Sequence, residues 1–203
     1  MDCLRSLGLE PTNIKTQLFP RDNETLAAKN DLIAKGVNFN KKKVIVHPTA
    51  AVSIREWPFE KFKQLIQKLN QNEDIQPIVI CTDSEYSRVK ALLDDIPDLI
   101  IFYQITVRQM IAIIHQCDLE IDNDSSPSHI ATALGIPTIV LFSQAIREIF
   151  RPYDYEKDQH FVFYNDVDCR ECGLTYCSNR ICLDFSVDEI FSKALEMLPL
   201  YNQ

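Results

Sequence analysis

The chain is predicted to fold as a doubly wound α/β domain around a mostly parallel sheet, and three observations predict it. From residue 44 onward, short apolar runs alternate with amphipathic helical stretches, a β-α-β-α series. The runs are almost continuous in Val, Ile and Leu, as strands covered on both faces are. Residues 119–142 read as one strand–turn–helix–strand unit: Leu119 and Ile121 lead into Asp122-Asn-Asp-Ser-Ser-Pro-Ser-His129, Pro127 opens a helix, Gly135 closes it, and an apolar strand follows at once. Proline suits the first helical position, where no donor is lost, and glycine suits the position just past the end.

The elements follow in order. Residues 1–42 differ from the rest: Pro11, Pro20 and polar residues precede a helix from Asn23 to Lys35, ended by Gly36, and the basic joint Lys41–Lys43 leads onward. Strand 44–47 is followed by a loop to Trp57 and a helix opened by Pro58, with Phe59, Phe62, Leu65, Ile66 and Leu69 at helical spacing. Strand Ile78–Cys81 passes through Thr82-Asp83-Ser84 into a helix carrying Val89, Leu92 and Leu93. Strand Leu99–Tyr103 precedes Thr106, an N-cap for a helix over 107–116, in which Met110, Ile111, Ile113 and Ile114 read as core. After strands 119–121 and 138–142, Phe161–Phe163 adds a strand, and Ser186 caps a last helix carrying Val187, Ile190, Leu195 and Leu198. The expected division is a connector with one helix over 1–42 and a Rossmann-like domain over 43–203, with a Cys-rich loop at 169–182 and a C-terminal helix. No internal repeat or low-complexity tract is present.

Composition excludes several classes. A length of 203 residues suits one substantial core, and a net charge of −8 without a Lys/Arg stripe argues against nucleic-acid binding. No apolar run approaches the roughly 18–20 residues needed to span a bilayer. Met1-Asp-Cys-Leu-Arg-Ser6 lacks the layout of a signal peptide, and seven cysteines, an odd number, read as a reduced cytoplasmic protein. The four glycines form neither a G-x-G-x-x-G nor a P-loop.

Three loops at carboxyl ends of strands would face one crevice in such a sheet. The first, His47–Pro58, offers the hydroxyls of Thr49 and Ser53 and the guanidinium of Arg55, which can clamp phosphate oxygens bidentately. Its plain alternative is a surface loop with Trp57 packed below and Arg55 solvated. In the second, Thr82–Glu85, Glu85 can accept from a ribose diol, although the helix dipole also favours an acidic residue in a first turn. The third is the Asp124–His129 turn. The free amides of residues 126–129 at its helix N-terminus would point beyond the strand end, where ligands sit in open α/β sheets and where anions are favoured. A capped turn with a buried histidine is the alternative there.

The order His-Pro…Arg-x-Trp-Pro over 47–58, an acidic residue in the turn after the next strand, and Asn-Asp-Ser-x-Pro-x-His-x-Ala-x-Ala-Leu-Gly-x-Pro-Thr over 123–138 resembles family 9 glycosyltransferases, the ADP-heptose:lipopolysaccharide heptosyltransferases. The tail around Cys182-Leu183 and Ser186–Ile190 is similar as well, so the likeness covers roughly 44–198. It implies the C-terminal, donor-binding half of a two-domain GT-B enzyme. Thr49 would then touch the diphosphate, with Ser53 nearby on the same loop. Arg55, where the family usually has Lys, would neutralise the diphosphate, and Glu85 would hold the ribose. Asp124 would bind the heptose hydroxyls, and the amides of Ser125 to Ser128, Ser126 included, would line the phosphate beside His129. It implies an inverting transfer that requires no metal or other cofactor, with fixed cationic and amide donors stabilising the departing ADP. Lipopolysaccharide core would be the acceptor, bound by an N-terminal half that also carries the carboxylate general base. This chain lacks that half on the resemblance, so no catalytic residue is expected in it and transfer by it alone would be very slow. The implied location is the cytoplasm, peripheral on the cytoplasmic face of the inner membrane. Ser126 stands where the family usually has Gly, which tolerates φ > 0 and close approach.

Cys169-x₂-Cys172-x₄-Cys177-x₄-Cys182 places four thiols in one loop with Gly173, a spacing like that of a structural zinc knuckle; idle reduced thiols are the alternative. Cys3, Cys81 and Cys117 carry no assignment, the last two reading as core. His47, His115 and His160 have no convergent Ser or Cys that the sequence places, so no hydrolase triad is expected. Two rival functions remain open: a stand-alone nucleotide-sugar-binding or assembly module, and a different sugar-nucleotide enzyme such as an epimerase, for which only Asp124, Glu85 and His129 supply acid/base candidates.

Overall fold

Strands β1 (Lys42–His47), β2 (Ile75–Ile80), β3 (Ile100–Phe102), β4 (Leu119–Asn123), β5 (Thr138–Phe142) and β6 (His160–Tyr164) form one sheet in the order β3-β2-β1-β4-β5-β6. Every neighbouring pair is parallel. The structure is a computed structural model, and it describes residues 5–9, 15–153, 159–169 and 171–198. Cys3 and Pro11 lie outside the described residues.

The helices are α1 (Asp22–Ala34), α2 (Phe59–Gln71), α3 (Asp83–Leu93), α4 (Val107–Ile114), α5 (Ser126–Leu134), the short α6 (Arg147–Phe150) and α7 (Val187–Met197). Alternation along the strands sends successive side chains to opposite faces. Val44, Val46, Leu119 and Ile121 join the core beneath α2, α3 and α7, whereas Ile45, Ile78 and Ile80 join the core beneath α1, α4 and α5. Both faces of the sheet are therefore covered, as the apolar runs imply. Ala28 and Leu32 of α1 belong to the second core.

Local chemistry sets the helix ends. Thr82 with Glu85, Thr106 with Gln109, and Ser186 with Glu189 form capping boxes that satisfy free amides in the first turns of α3, α4 and α7. On α2 the buried residues Phe62, Leu65, Ile66 and Leu69 follow the helical period. Gly135 ends α5 at φ 73°, a left-handed conformation that glycine adopts without strain.

Strand bounds depart from the sequence reading in two useful places. β2 begins at Ile75, not Ile78, because Lys42 to Val44 of β1 pair with Ile75 to Pro77. At Pro77 the strand is an edge, since β3 pairs only with Ile78–Ile80, and an edge tolerates a residue without an N–H. β4 continues past Ile121 to Asn123, carried by its pairing with His47 on one side and Leu141 on the other. The chain leaves β1 in one direction through β2 and β3, then returns to place β4 on the other side of β1. That reversal opens a crevice beyond the carboxyl ends of β1 and β4.

Candidate functional site

Register brings His47 at the end of β1 beside Asp122 on β4. The His47 ring Nδ1 lies 2.9 Å from Asp122 Oδ1, and Nε2 lies 3.1 Å from Thr49 Oγ1. Asp122 is wholly buried and also accepts from the Ser125 hydroxyl at 2.6 and 2.8 Å and from the Ser128 amide at 3.2 Å. Burial by itself would lower the His47 pKa. The charge of Asp122 and its hydrogen bond, joined by Glu85 and Glu56, outweigh burial and hold it above the ordinary 6.5.

Glu120 sits one turn of the pleat below Asp122 and is also wholly buried. Burial, then repulsion by Asp122, pushes its carboxyl well above the usual range. Asp124, at 5% exposure, extends this acidic row to the crevice floor. Burial raises its pKa to about 6, against the pull of the Arg55 guanidinium and with the push of Asp122. Arg55 Nη1 stands 3.8 Å from Asp124 Oδ2, beyond hydrogen-bond distance, and that buried oxygen has no hydrogen-bond partner.

The loop that aims Arg55 is braced from four sides. Asn123 accepts from the Trp57 amide at 2.8 Å and donates to the Thr49 carbonyl at 3.2 Å, tying both ends of the loop to β4. Trp57 is fully buried, donates its indole N–H to the Phe185 carbonyl at 3.3 Å and meets Phe62 edge-on at 5.0 Å. Glu56 accepts from the Ala50 amide at 3.2 Å and receives a two-pronged ion pair from Arg88 at 2.7 and 3.1 Å. Arg180, from the Cys-rich loop, donates to the carbonyls of Glu56 at 2.9 Å and Ser53 at 3.4 Å.

The fold thus gathers Thr49, Arg55, Glu85, Asp124 and Ser125 around the His47–Asp122 pair. Thr49 is wholly buried, with its hydroxyl 3.1 Å from the His47 ring Nε2 and not given to the open crevice. Burial would raise the Glu85 pKa, but hydrogen bonds from Thr82, the neighbouring Thr49 hydroxyl and the charge of His47 hold it below the ordinary carboxylate value. Glu85 therefore serves both the α3 cap and the crevice wall. Ser126 and His129 are exposed at the start of α5, and Ser53 is exposed on the outer side of its loop.

Three expectations need correction. The Ser128 amide is not free to line a phosphate, because Asp122 takes it, and its hydroxyl bonds the Ser125 carbonyl at 2.7 Å. Ser126 creates no backbone strain: it is the first residue of α5 and is absent from the positive-φ residues, so its backbone does not require glycine. The zinc site is not assembled. Among the described residues no group of three or more His, Cys, Asp and Glu converges. Cys169 and Cys172 are exposed, Cys182 is buried against the main core, and Cys177 accepts the Arg180 amide at 3.3 Å.

Sequence reasoning missed His47, Asp122 and Asn123 as site residues. A signal for them was present: Glu120, Asp122 and Asp124 alternate with apolar residues in a strand otherwise built for burial, and buried charges need partners. Among the described residues no helix is long and apolar enough to cross a membrane.

A sequence model of the family described as glycosyltransferase family 9 (heptosyltransferase) matches residues 5–178. The lipopolysaccharide core heptosyltransferase OpsX of Haemophilus influenzae is 25% identical over 113 residues, which are 53% of this chain and 32% of that protein. The glycosyl transferase family 9 structure from Veillonella parvula superposes with a TM-score of 0.84 at 17% identity, covering 97% of this chain and 57% of that one. The ADP-heptose lipopolysaccharide heptosyltransferase II of E. coli superposes at 0.73 with 17% identity, covering 93% and 55%. These superpositions establish the Rossmann-like fold of a GT-B glycosyltransferase, and the chain spans little more than half the length of the structures it matches. With the family model covering most of its length, the chain belongs to glycosyltransferase family 9.

Proposed function

We propose that this chain binds a nucleoside diphosphate sugar, ADP-heptose or a close relative, as the donor for heptosyl transfer to lipopolysaccharide core. The observation that carries the reading is the buried, unpartnered Oδ2 of Asp124 facing Arg55 across 3.8 Å at the sheet's reversal point. A buried carboxylate without a donor is costly, and sugar hydroxyls would supply the donors. Arg55, held by its braced loop, neutralises the diphosphate beside the N-terminus of α5. Glu85 accepts from the ribose. As the glycosidic bond to the diphosphate breaks, the same fixed cation stabilises the charge that develops on the departing nucleotide. The names of the relatives support this substrate class, since those proteins are called heptosyltransferases of ADP-heptose and lipopolysaccharide core.

The general base for the acceptor hydroxyl belongs, on this reading, to the acceptor half of such enzymes. These 203 residues by themselves would bind donor without appreciable transfer, since a positioned base is worth about 10²–10⁴-fold. The working site is cytoplasmic, with contact to the inner membrane through the acceptor.

Isothermal titration tests the binding. ADP should bind the purified chain, and Arg55→Ala should weaken it about 10- to 150-fold, the range for hydrogen bonds to a charged group of roughly 1.5–3 kcal/mol. Absence of ADP and ADP-sugar binding to the unmodified chain overturns the reading, and turnover by the chain alone overturns its second half.

A further inference from the structure

Two carbonyls of the turn that carries Arg55 share one guanidinium. Arg180 Nη1 donates to the Glu56 carbonyl at 2.9 Å and to the Ser53 carbonyl at 3.4 Å, and these two groups bracket residues 54–56. We infer that Arg180 is a positioning residue for the donor site: it fixes the turn Ser53–Arg55 so that the Arg55 guanidinium stays beside Asp124. The inference rests on the donor-site reading above and extends it to the Cys-rich loop, to which that reading gives no part.

Arg180 works from a firm base. It precedes the short turn Ile181–Leu183, whose Cys182 and Leu183 are buried in the main core. Asn165, just beyond β6, donates to the carbonyls of Ile181 and Asp184, both at 3.3 Å. The Arg180 amide donates to Cys177 Sγ at 3.3 Å, and its carbonyl accepts from the Leu183 amide at 2.9 Å. Its backbone is left-handed, at φ 39° and ψ 41°, where the Cβ of an L residue crowds the following carbonyl oxygen. Glycine would adopt this conformation without that cost. The chain holds an arginine there instead, with its side chain given to two carbonyls of another loop. A strained residue of this kind points to a task for its side chain.

Arg55 needs such a hold. Its guanidinium lies 3.8 Å from Asp124, beyond hydrogen-bond distance, so its aim is set by the backbone that carries it. That backbone is one tight turn, in which the Arg55 amide bonds the Val52 carbonyl at 2.9 Å and the Glu56 amide bonds the Ser53 carbonyl at 3.1 Å. Burial of Ile54 and the ion pair of Glu56 with Arg88 fix two side chains, but they leave the Glu56 carbonyl to turn with its peptide plane. Arg180 takes that carbonyl, and the Ser53 carbonyl with it. The planar guanidinium suits the task, because its hydrogens point in fixed directions.

The test uses the full chain with Arg180→Gly, Arg180→Met, Arg55→Ala and both double variants. Glycine relieves the left-handed backbone, and methionine keeps an unbranched stem without donors. Urea denaturation confirms that each variant is folded before calorimetry with ADP. Each Arg180 variant should weaken ADP binding about two- to tenfold, the size of one hydrogen bond. In the Arg55→Ala background the same changes should cost less than about twofold, because residues that act through one another are not additive. Unchanged affinity on loss of Arg180 overturns the inference. An equal loss in both backgrounds overturns it too, since Arg180 would then meet the ligand itself or support the crevice at large. A loss with methionine but not with glycine traces to the backbone and has the same consequence.

A readout without ligand separates this inference from the donor-site reading. Arg55 draws the Asp124 pKa down, against burial and the push of Asp122. In a carbon-13 titration the Asp124 midpoint should therefore rise in Arg180→Gly by about 0.3–1 pH unit, a fraction of what a cation within 4–6 Å is worth. In the Arg55→Ala background the same change should leave the midpoint where it is. No rise, or an equal rise in both backgrounds, overturns the inference whether or not ADP binds. If the rise is present and ADP fails to bind, the donor-site reading is what fails.

Discussion

Replacing Asp124 by Asn should make the ligand-free chain more stable, and only above a definite pH. Asp124 is 5% exposed, and its pKa rises from 3.8 to about 6 on folding. The folded state therefore holds this proton more tightly than the unfolded state. Its contribution is most favourable below the unfolded value of 3.8, is lost as pH rises toward 6, and is flat beyond. A rise of about two pH units, at roughly 1.4 kcal/mol each, costs the folded state about 3 kcal/mol at pH 8. Asn removes the charge but brings an amide whose hydrogens need acceptors, so a gain of about 1–3 kcal/mol is expected at pH 8. For a chain of this size that is a melting shift of about 3–10 °C. Urea denaturation of both proteins at pH 8 and pH 3.5 measures it: a clear gap at pH 8 should close at pH 3.5, where Asp124 is protonated in both states. A variant no more stable than its parent at pH 8, or a gap of equal size at both pH values, would refute the reasoning. The same cost is what a ligand's hydroxyls would relieve, a common arrangement in binding sites.

Trp57→Ala should cost about 3–5 kcal/mol in urea denaturation, because it empties a fully buried site and releases the loop that aims Arg55; a loss under 1 kcal/mol would contradict that bracing role. Gly135→Ala should cost about 1–2 kcal/mol by the same assay, a purely backbone effect, since an added Cβ meets no atom within 4 Å but φ is 73°. Dialysis against EDTA should leave the melting temperature unchanged and metal analysis should find well under one zinc per chain. A stoichiometric ion whose removal lowers the melting temperature would mean that Cys169, Cys172, Cys177 and Cys182 do assemble around it.

Most of the architecture was legible in the sequence because its signals are local. Helical spacing in Phe62, Leu65, Ile66 and Leu69, the Thr106 and Ser186 caps, and Gly135 after α5 each act within a turn or two of chain. The early start of β2 was not legible, because Pro77 argues against a strand until the neighbouring edge is known. The family resemblance placed Arg55, Glu85 and Asp124 at one crevice, but it gave Thr49 and Ser128 to a ligand that the structure shows them turned away from.

By itself, then, the sequence determined the order and type of the elements, the covered parallel sheet, and which loops meet at its carboxyl edge. Only the tertiary structure decided that His47 and Asp122, 75 positions apart, share a hydrogen bond, and that the other ring nitrogen meets Thr49. The reason is physical. Hydrophobic period and capping are settled by neighbours along the chain, whereas strand register is settled by the packing of the whole core. A slip of one residue would turn His47 and Asp122 to opposite faces of the sheet.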